Sequence, residues 1–430
     1  MNHNLITKLV GLPELVVTDV ETKAESVCFT VSSNYNTVPC PECGKKTSNI
    51  HSRRTQPIRD LSALGKQTIL LLEKKRFKCY SCDAQPFIEP IKSVDRYQRM
   101  TTRYCSYLAH LTQYRSYSEI ARSEGLSFPV VKQVADKKAD FISDCIGLSK
   151  GLKSLSIDEF AILKRHKYGV VISDPEHQLI VDVLPHRNKD YIINYFLSWP
   201  EEIRLGIEHV SIDMWGPYAA LIPECFPNAR ITIDKFHVIA HLNEAMEKVR
   251  REQQKELLPQ ESKKTFFKSR FSLLKAGENL KQKDTDRLQN MLEKSPTLEL
   301  AYELKEDFRE LMMAESYEEA KECLYDWYEQ AEKSEIPSFI EFIKMVKRWE
   351  DKILNFFISG ITNGYAEGVN NKIKLVKRIG YGVPNSENLR RRILLSFYEK
   401  GSCKLVQSTD SVKEKKDTFK GWKANDSKIA

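Results

Sequence analysis

Two short stretches of this chain, Leu155–Asp158 and Val210–Asp213, repeat one pattern: an apolar residue, Ser, Ile, Asp. Each ends an apolar, β-branched run, so each reads as a buried strand delivering a carboxylate to its exposed tip. A third acid, Glu367, lies in TNGYAEGVNN, where Thr362 or Asn363 can cap a helix. Glu367, Asn370, Asn371, Lys374 and Arg378 then fall at roughly helical spacing on one face. Mg²⁺ prefers oxygen ligands, and an ion pair about 3.5–4 Å apart clamps the attacking and leaving oxygens of a phosphodiester. Asp158, Asp213 and Glu367 are therefore candidate metal-binding and catalytic residues, although Asp also commonly ends strands at turns.

The elements around these acids have a definite order. LKSLSIDEF, KYGVVISD and QLIVDVLP are three strand candidates joined by short polar turns, as in an antiparallel meander. NKDYIINYFLSW follows as an amphipathic helix, EHVSIDMW as a fourth strand, GPYAALIPECF as a short helix and ARITIDKFHV as a fifth strand. This α/β order resembles that of the ribonuclease-H-like fold, with Asp158 on the first strand and Asp213 on the adjacent fourth. Asp234 and His237 are expected to end the fifth strand, as accessory residues near the metals or as an ordinary strand-end pair. Glu159 is a poor substitute for Asp158, because adjacent strand residues point to opposite faces. Residues from about 240 to 355 read as a helical insertion interrupted near Pro259, Pro296 and Pro337.

The front of the chain is different. CPECG and CYSC carry two CxxC pairs, Cys40/Cys43 and Cys79/Cys82, separated by a gap of 35 residues. Four thiolates in two close pairs suit tetrahedral, structural Zn²⁺; a redox pair or packing cysteines are the competing readings. His51 is a possible replacement ligand. Beyond this module, SYSEIARSEGLSFPVVKQVADKKA has the form of a helix-turn-helix. Ile120 and Ala121 face inward, Gly125 breaks the chain, Ser127 caps and Pro129 enters the second helix. Helical hairpins that never touch DNA share this pattern. Arg76, Lys132, Lys137 and Lys138 are candidate phosphate contacts; on the later helix Lys374 and Arg378 are candidates for phosphates, and Asn370 and Asn371 for bases or sugar.

Charge is distributed unevenly. The chain carries a formal +8, and Cys40–Arg103 alone holds 14 Lys+Arg against 6 Asp+Glu, so the remainder is neutral. A basic front on a neutral body points to a polyanion held at one end. The start has no basic n-region and is broken by Gly11 and Pro13, and no run of about 18 apolar residues occurs, so neither signal peptide nor membrane span is expected. The expected setting is cytoplasmic. The expected domains are 1–94 for zinc, 95–150 for the helix-turn-helix, 151–400 for the acids and 401–430 for a basic polar tail.

Taken together, CPECG…RRTQPIRDL…KRFKCYSC, the helix-turn-helix, SIDEF, SIDMW, DKFHV and TNGYAEGVNNKIKLVKRIGYG resemble a bacterial insertion-sequence DDE transposase of the ISL-three family. The resemblance runs from about residue 38 to 398. It implies a ribonuclease-H-like core holding two Mg²⁺ ions, with Mn²⁺ as a substitute, between Asp158, Asp213 and Glu367. It also implies zinc and helix-turn-helix modules that recognise terminal inverted repeats in double-stranded DNA. Asp234 and His237 are similar to a D-x-x-H signature of related transposases. Synapsis of two ends implies a homodimer or larger assembly. The alternatives are a zinc and helix-turn-helix transcription regulator, or a ribonuclease-H-like nuclease that cuts without joining.

Overall fold

Continuous rather than alternating apolar runs mark strands covered on both faces. Strand β6 (Ser154–Leu163; β1 to β5 belong to the first unit, below) is of this kind, its first five residues all buried. The computed structural model describes residues 3–95, 97–146, 151–163, 166–256, 266, 269–360, 364–383 and 385–397. They form two compact units: one runs to Asp140 and includes Ile379–Gly382, and the other comprises Phe141–Arg378 and the chain from Val383.

In the first unit, strands β1 (Leu15–Thr22), β2 (Ser26–Ser33), β3 (Ile50–Ala63) and β4 (Lys66–Phe77) lie in the order β1-β2-β4-β3, with short β5 (Phe87–Ile88) also on β4. Neither β1, which has one wet face, nor β3, which is basic and contains Pro57, is a continuous apolar run. Leu15, Val31, Ile58, Leu70 and Leu72 make the small core. Helices α2 (Thr102–Leu111), α3 (Tyr117–Glu124) and α4 (Phe128–Ile146) follow; α1 (His3–Val10) precedes β1. A Ser116–Glu119 capping box starts α3, and left-handed Gly125, at φ 61°, ends it. The Ser127 carbonyl accepts the first amides of α4, those of Val130 and Val131. A buried Asp60 carboxylate pairs with Arg103 and accepts the Thr101 hydroxyl at 2.6 Å, joining β3 to α2. Burial opposes ionisation of Asp60, but these bonds outweigh it and hold its pKa below the usual range.

The second unit is built on β6, β7 (Lys167–Asp174), β8 (Leu179–Leu184), β9 (His209–Ile212) and β10 (Arg230–Ile233), in the order β8-β7-β6-β9-β10. The first three form the expected meander, and β9 and β10 add parallel to β6. Helices α5 (Lys189–Leu197), α6 (Glu201–Leu205) and α7 (Gly216–Cys225) make the crossovers. One sheet face packs Ile157, Ile172 and Val210 against Phe196, Leu221 and Leu242. The other packs Phe160, Ile162 and Val171 into a second core with Val369, Ile373 and Ile393.

The fifth strand ends at Ile233, not His237. Asp234 stops it: its carboxylate accepts the Phe236 amide at 3.0 Å and its carbonyl the His237 amide at 3.0 Å. These bonds start helix α8 (Lys235–Glu256). The helices α9 (Ser269–Leu274), α10 (Gln282–Leu292), α11 (Pro296–Leu311), α12 (Tyr317–Lys333), α13 (Pro337–Leu354) and α14 (Phe356–Ser359) follow. Pro296 and Pro337 open helices, where a missing N–H costs nothing; Pro259 lies outside the described residues. Fully buried Lys305 donates to the Leu273 and Lys275 carbonyls, at 2.7 and 3.0 Å, satisfying the end of α9. The chain then enters α15 (Gly364–Ile379) and α16 (Ser386–Phe397). Arg390 of α16 and Tyr195 of α5 both donate to Asp182 of β8, at 2.5 and 2.8 Å, tying two helices to one strand. Among the described residues no helix is long and apolar enough to cross a membrane.

Gly169 is the sheet's tightest point. It pairs with Phe160, and a Cβ there would meet the Phe160 ring and the Leu184 carbonyl oxygen at 2.8 Å. Gly169→Ala should therefore destabilise the second unit by about 1–3 kcal/mol, read from the urea unfolding midpoint.

Candidate metal centre and active site

The long gap between the cysteine pairs is a hairpin. β3 and β4 fill it and return the chain to its starting point, where the Lys78 amide donates to the Asn49 carbonyl at 2.9 Å. The Thr47 hydroxyl adds a bond to the Lys78 carbonyl at 2.8 Å. Cys40 Sγ then lies 3.6 Å from Cys82 Sγ, and Cys43 Sγ lies 3.7 Å from Cys79 Sγ. All four sulfurs fall within 4.8 Å of one another. Tetrahedral Zn²⁺ with Zn–S bonds of about 2.3 Å has sulfur–sulfur edges of about 3.8 Å, so the donor set fits zinc. In the CPECG turn, Gly44 takes φ 72° and donates to the Cys40 carbonyl at 3.0 Å. Bonds from the Cys43 amide favour the thiolate at Cys40 and lower its pKa to about 7. His51 is exposed and faces Ser52, outside this cluster.

The acids meet through strand register. In the parallel β6–β9 pair the last rung is Ile157–Ile212, so Asp158 and Asp213 follow at the same level. There β9 ends, while β6 continues against β7 for five more residues. Asp158 is thus mid-strand and nearly buried, at 9% exposure, rather than at an exposed tip. Its Oδ1 accepts the Glu159 amide at 2.7 Å and its Oδ2 the Asn370 amide at 2.7 Å. Burial, and then the Asp213 charge, push its pKa up to about 7.

His237 enters from the first turn of α8. Its Nε2 is 2.6 Å from Asp213 Oδ1 and 3.8 Å from Asp234 Oδ2. The bond to Asp213 favours the imidazolium and raises the His237 pKa. One ligand atom each from Asp158, Asp213 and His237 lie within 4.8 Å of one another, a set suited to a divalent cation. Glu367 is on α15, one turn before Asn370; its side chain, and the capping positions Thr362 and Asn363, lie outside the described residues. Glu159 does point to the other face, where Arg187 donates to it at 2.8 Å and the Tyr218 hydroxyl at 3.3 Å.

The residues read as DNA contacts are differently disposed. Asn370 turns inward to Asp158, and its buried Oδ1 has no hydrogen-bond partner among the described residues. Val369, Ile373 and Val376 are buried beside it, which makes this side of α15 an inner one. Asn371, Lys374 and Arg378 are exposed, with Lys374 donating to Asn371 at 3.3 Å. On α4, Lys132 pairs with Asp136, whereas Lys137 is exposed. Arg76 is exposed and donates to the Pro86 carbonyl at 3.0 Å. Sequence reasoning missed Asn370 as a partner of Asp158, although its place one turn after Glu367 is the signal. It also missed Arg187, whose guanidinium lies 4.9 Å from the Tyr168 ring centre and 5.6 Å from that of Trp215.

Two outcomes follow. Purified protein should hold one zinc per chain by elemental analysis, and Cys43→Ser should lose it along with stability of the first unit. In metal-free protein the neutral form of Asp158 is favoured relative to the unfolded chain. Raising pH from about 4 to about 7 should therefore lower thermal stability, and deprotonating His237 acts in the same direction. Added divalent ion should reverse that loss, binding more tightly at about pH 8 than at about pH 6.

Both regions of the chain have known relatives. Residues 155–393 match the ISL3-type DDE family, described as a transposase. Residues 36–82, with all four cysteines, match the zinc-finger of transposases IS204, IS1001, IS1096 and IS1165. The chain is 29% identical to the transposase for insertion sequence element IS1001 of Bordetella parapertussis, over 83% of this chain and 88% of that one. It is 28% identical to the transposase for IS1557 of Mycobacterium tuberculosis, over 57% of this chain and 60% of that one. The transposase match spans more than half of the sequence and includes Asp158, Asp213, His237 and Glu367. The chain belongs to the ISL3 family of DDE transposases.

Proposed function

We propose that this transposase binds the terminal inverted repeats of its own element and catalyses Mg²⁺-dependent cleavage and strand transfer there. The observation that carries the reading is the Ile157–Ile212 rung, after which two carboxylates stand side by side with an imidazole against them. The order β8-β7-β6-β9-β10, antiparallel then parallel, supports a ribonuclease-H-like core with α8 to α14 as the helical insertion. Glu367 would be the third acid.

Asp158, Asp213 and Glu367 would hold two Mg²⁺ ions, with Mn²⁺ as a substitute. When bound, such ions lower the pKa of the attacking hydroxyl and neutralise charge on the leaving oxygen. The rest of the site orients groups. The Glu159 amide and Asn370 fix both oxygens of Asp158, so the carboxylate needs little reordering when it takes a cation. His237 does the same for Asp213. Water attacks the phosphodiester at the element end; the freed 3′-hydroxyl then attacks target DNA in line at the same acids. Exposed Lys374 and Arg378, on the helix of Glu367, meet the neighbouring phosphates.

The pair α3–α4 serves as the helix-turn-helix, with Lys137 toward DNA, and works with the zinc module in end recognition. Two ends are joined by a homodimer or larger assembly. A labelled element end tests the reading. Asp158→Asn should reduce cleavage and joining to background while end binding persists. Cleavage surviving the change sinks the assignment; cutting without joining identifies a nuclease, and binding without either a regulator.

A further inference from the structure

We infer that one face of the β3–β4 hairpin, at Arg54, Lys74 and Arg76, grips the phosphate backbone of duplex DNA. The inference rests on the reading that this protein handles DNA, and it assigns a surface to that task.

The register makes the argument. Across the hairpin Arg53 opposes Lys75, Arg54 opposes Lys74 and Ser52 opposes Arg76. Like charges directly opposite one another destabilise a strand pair, and here two such rungs are consecutive. Because side chains alternate, Arg53 and Lys75 share one face, while Arg54, Lys74 and Arg76 share the other. The two faces are treated differently. Arg53 is paired with Glu73 at 3.1 Å, and Lys75 donates to the Ser33 and Tyr35 carbonyls at 3.0 and 3.4 Å. On the other face, among the described residues, no acid pairs with Arg54, Lys74 or Arg76; Arg76 bonds only the Pro86 carbonyl, at 3.0 Å. Lys74 is partly buried, which disfavours its charge and lowers its pKa against the opposing field of Glu89.

Three cations without acids on neighbouring rungs cost stability in the free protein, and a polyanion relieves that cost. Lys74 and Arg76 lie two residues apart on one strand, so their backbones are spaced by about 6.8 Å in a line. A row along one strand face suits a linear polyanion, since a single small anion needs converging donors. The cysteine cluster adjoins this end of the hairpin, because β4 ends at Phe77, two residues before Cys79.

The test uses the full chain, a short duplex of random sequence and a salt titration followed by fluorescence anisotropy. Neutralising Arg54, Lys74 and Arg76 together to Gln should make the slope of log affinity against log salt shallower by about 0.9 per lost contact, two to three in all. Zinc content should be unchanged and thermal stability equal or higher. Arg53→Gln, on the neutralised face, should leave the slope as it was. An unchanged slope in the triple variant, or an equal loss in Arg53→Gln, overturns the inference. Should the triple variant lose zinc, exposed Arg54→Gln alone decides, with a change of about 0.9 expected and none overturning it. Failure of strand transfer by the unaltered protein counts against the transposition chemistry and leaves the salt slopes readable.

Discussion

The pairing of β6 with β9 is the constraint on which the second unit depends. Four parallel rungs bring Ile157 level with Ile212, and the next residue on each strand is an aspartate. The apolar rungs fix the acids where their charges oppose one another, and burial makes the opposition stronger. Asp158 therefore needs the Glu159 backbone amide and the Asn370 side-chain amide, and Asp213 needs His237. Hydrophobic burial along the strands outweighs that local cost. The arrangement is stable enough to fold and short of positive charge at one point, a combination that a metal site requires.

Much of this was legible because buried strands announce themselves as apolar runs. The meander, the crossover helices and the two repeated Ser-Ile-Asp motifs were all readable locally. The depth of Asp158 was not, since it depends on where the neighbouring strand stops. His237 was misread as part of a strand because ITIDKFHV stays largely apolar across the change of period; Asp234 as a helix cap was the available signal. The contact of Asn370 with Asp158 was hidden for another reason. Its partner is 212 residues away, and a helix face inferred from charge ignored the buried stripe of Val369, Ile373 and Val376 beside it.

The first unit shows the complementary case. Four cysteines at two CxxC turns declared the cluster, while the strands that bring them together were largely hidden. Strand β3 carries Pro57 and adjacent arginines and resembles a polar linker until its partner is known. Its small core, with Val31, Ile58, Leu70 and Leu72 fully buried, leaves the cysteine end without apolar support of comparable size. A metal held by the four sulfurs would supply there what packing supplies at the other end.

Helix α8 has a mechanical consequence. It begins with Asp234 as its cap and His237 in its first turn, and continues for 22 residues. That makes it a rod about 33 Å long whose base is part of the acid cluster. A hydrogen bond such as that from His237 to Asp213 tolerates only tenths of an ångström of misplacement. Helices α11 and α13 pack against the rod, whose Val238, Leu242, Met246 and Val249 are buried in the same core. The helical segment thus works as a brace, and how firmly it grips α8 sets how still the imidazole is held.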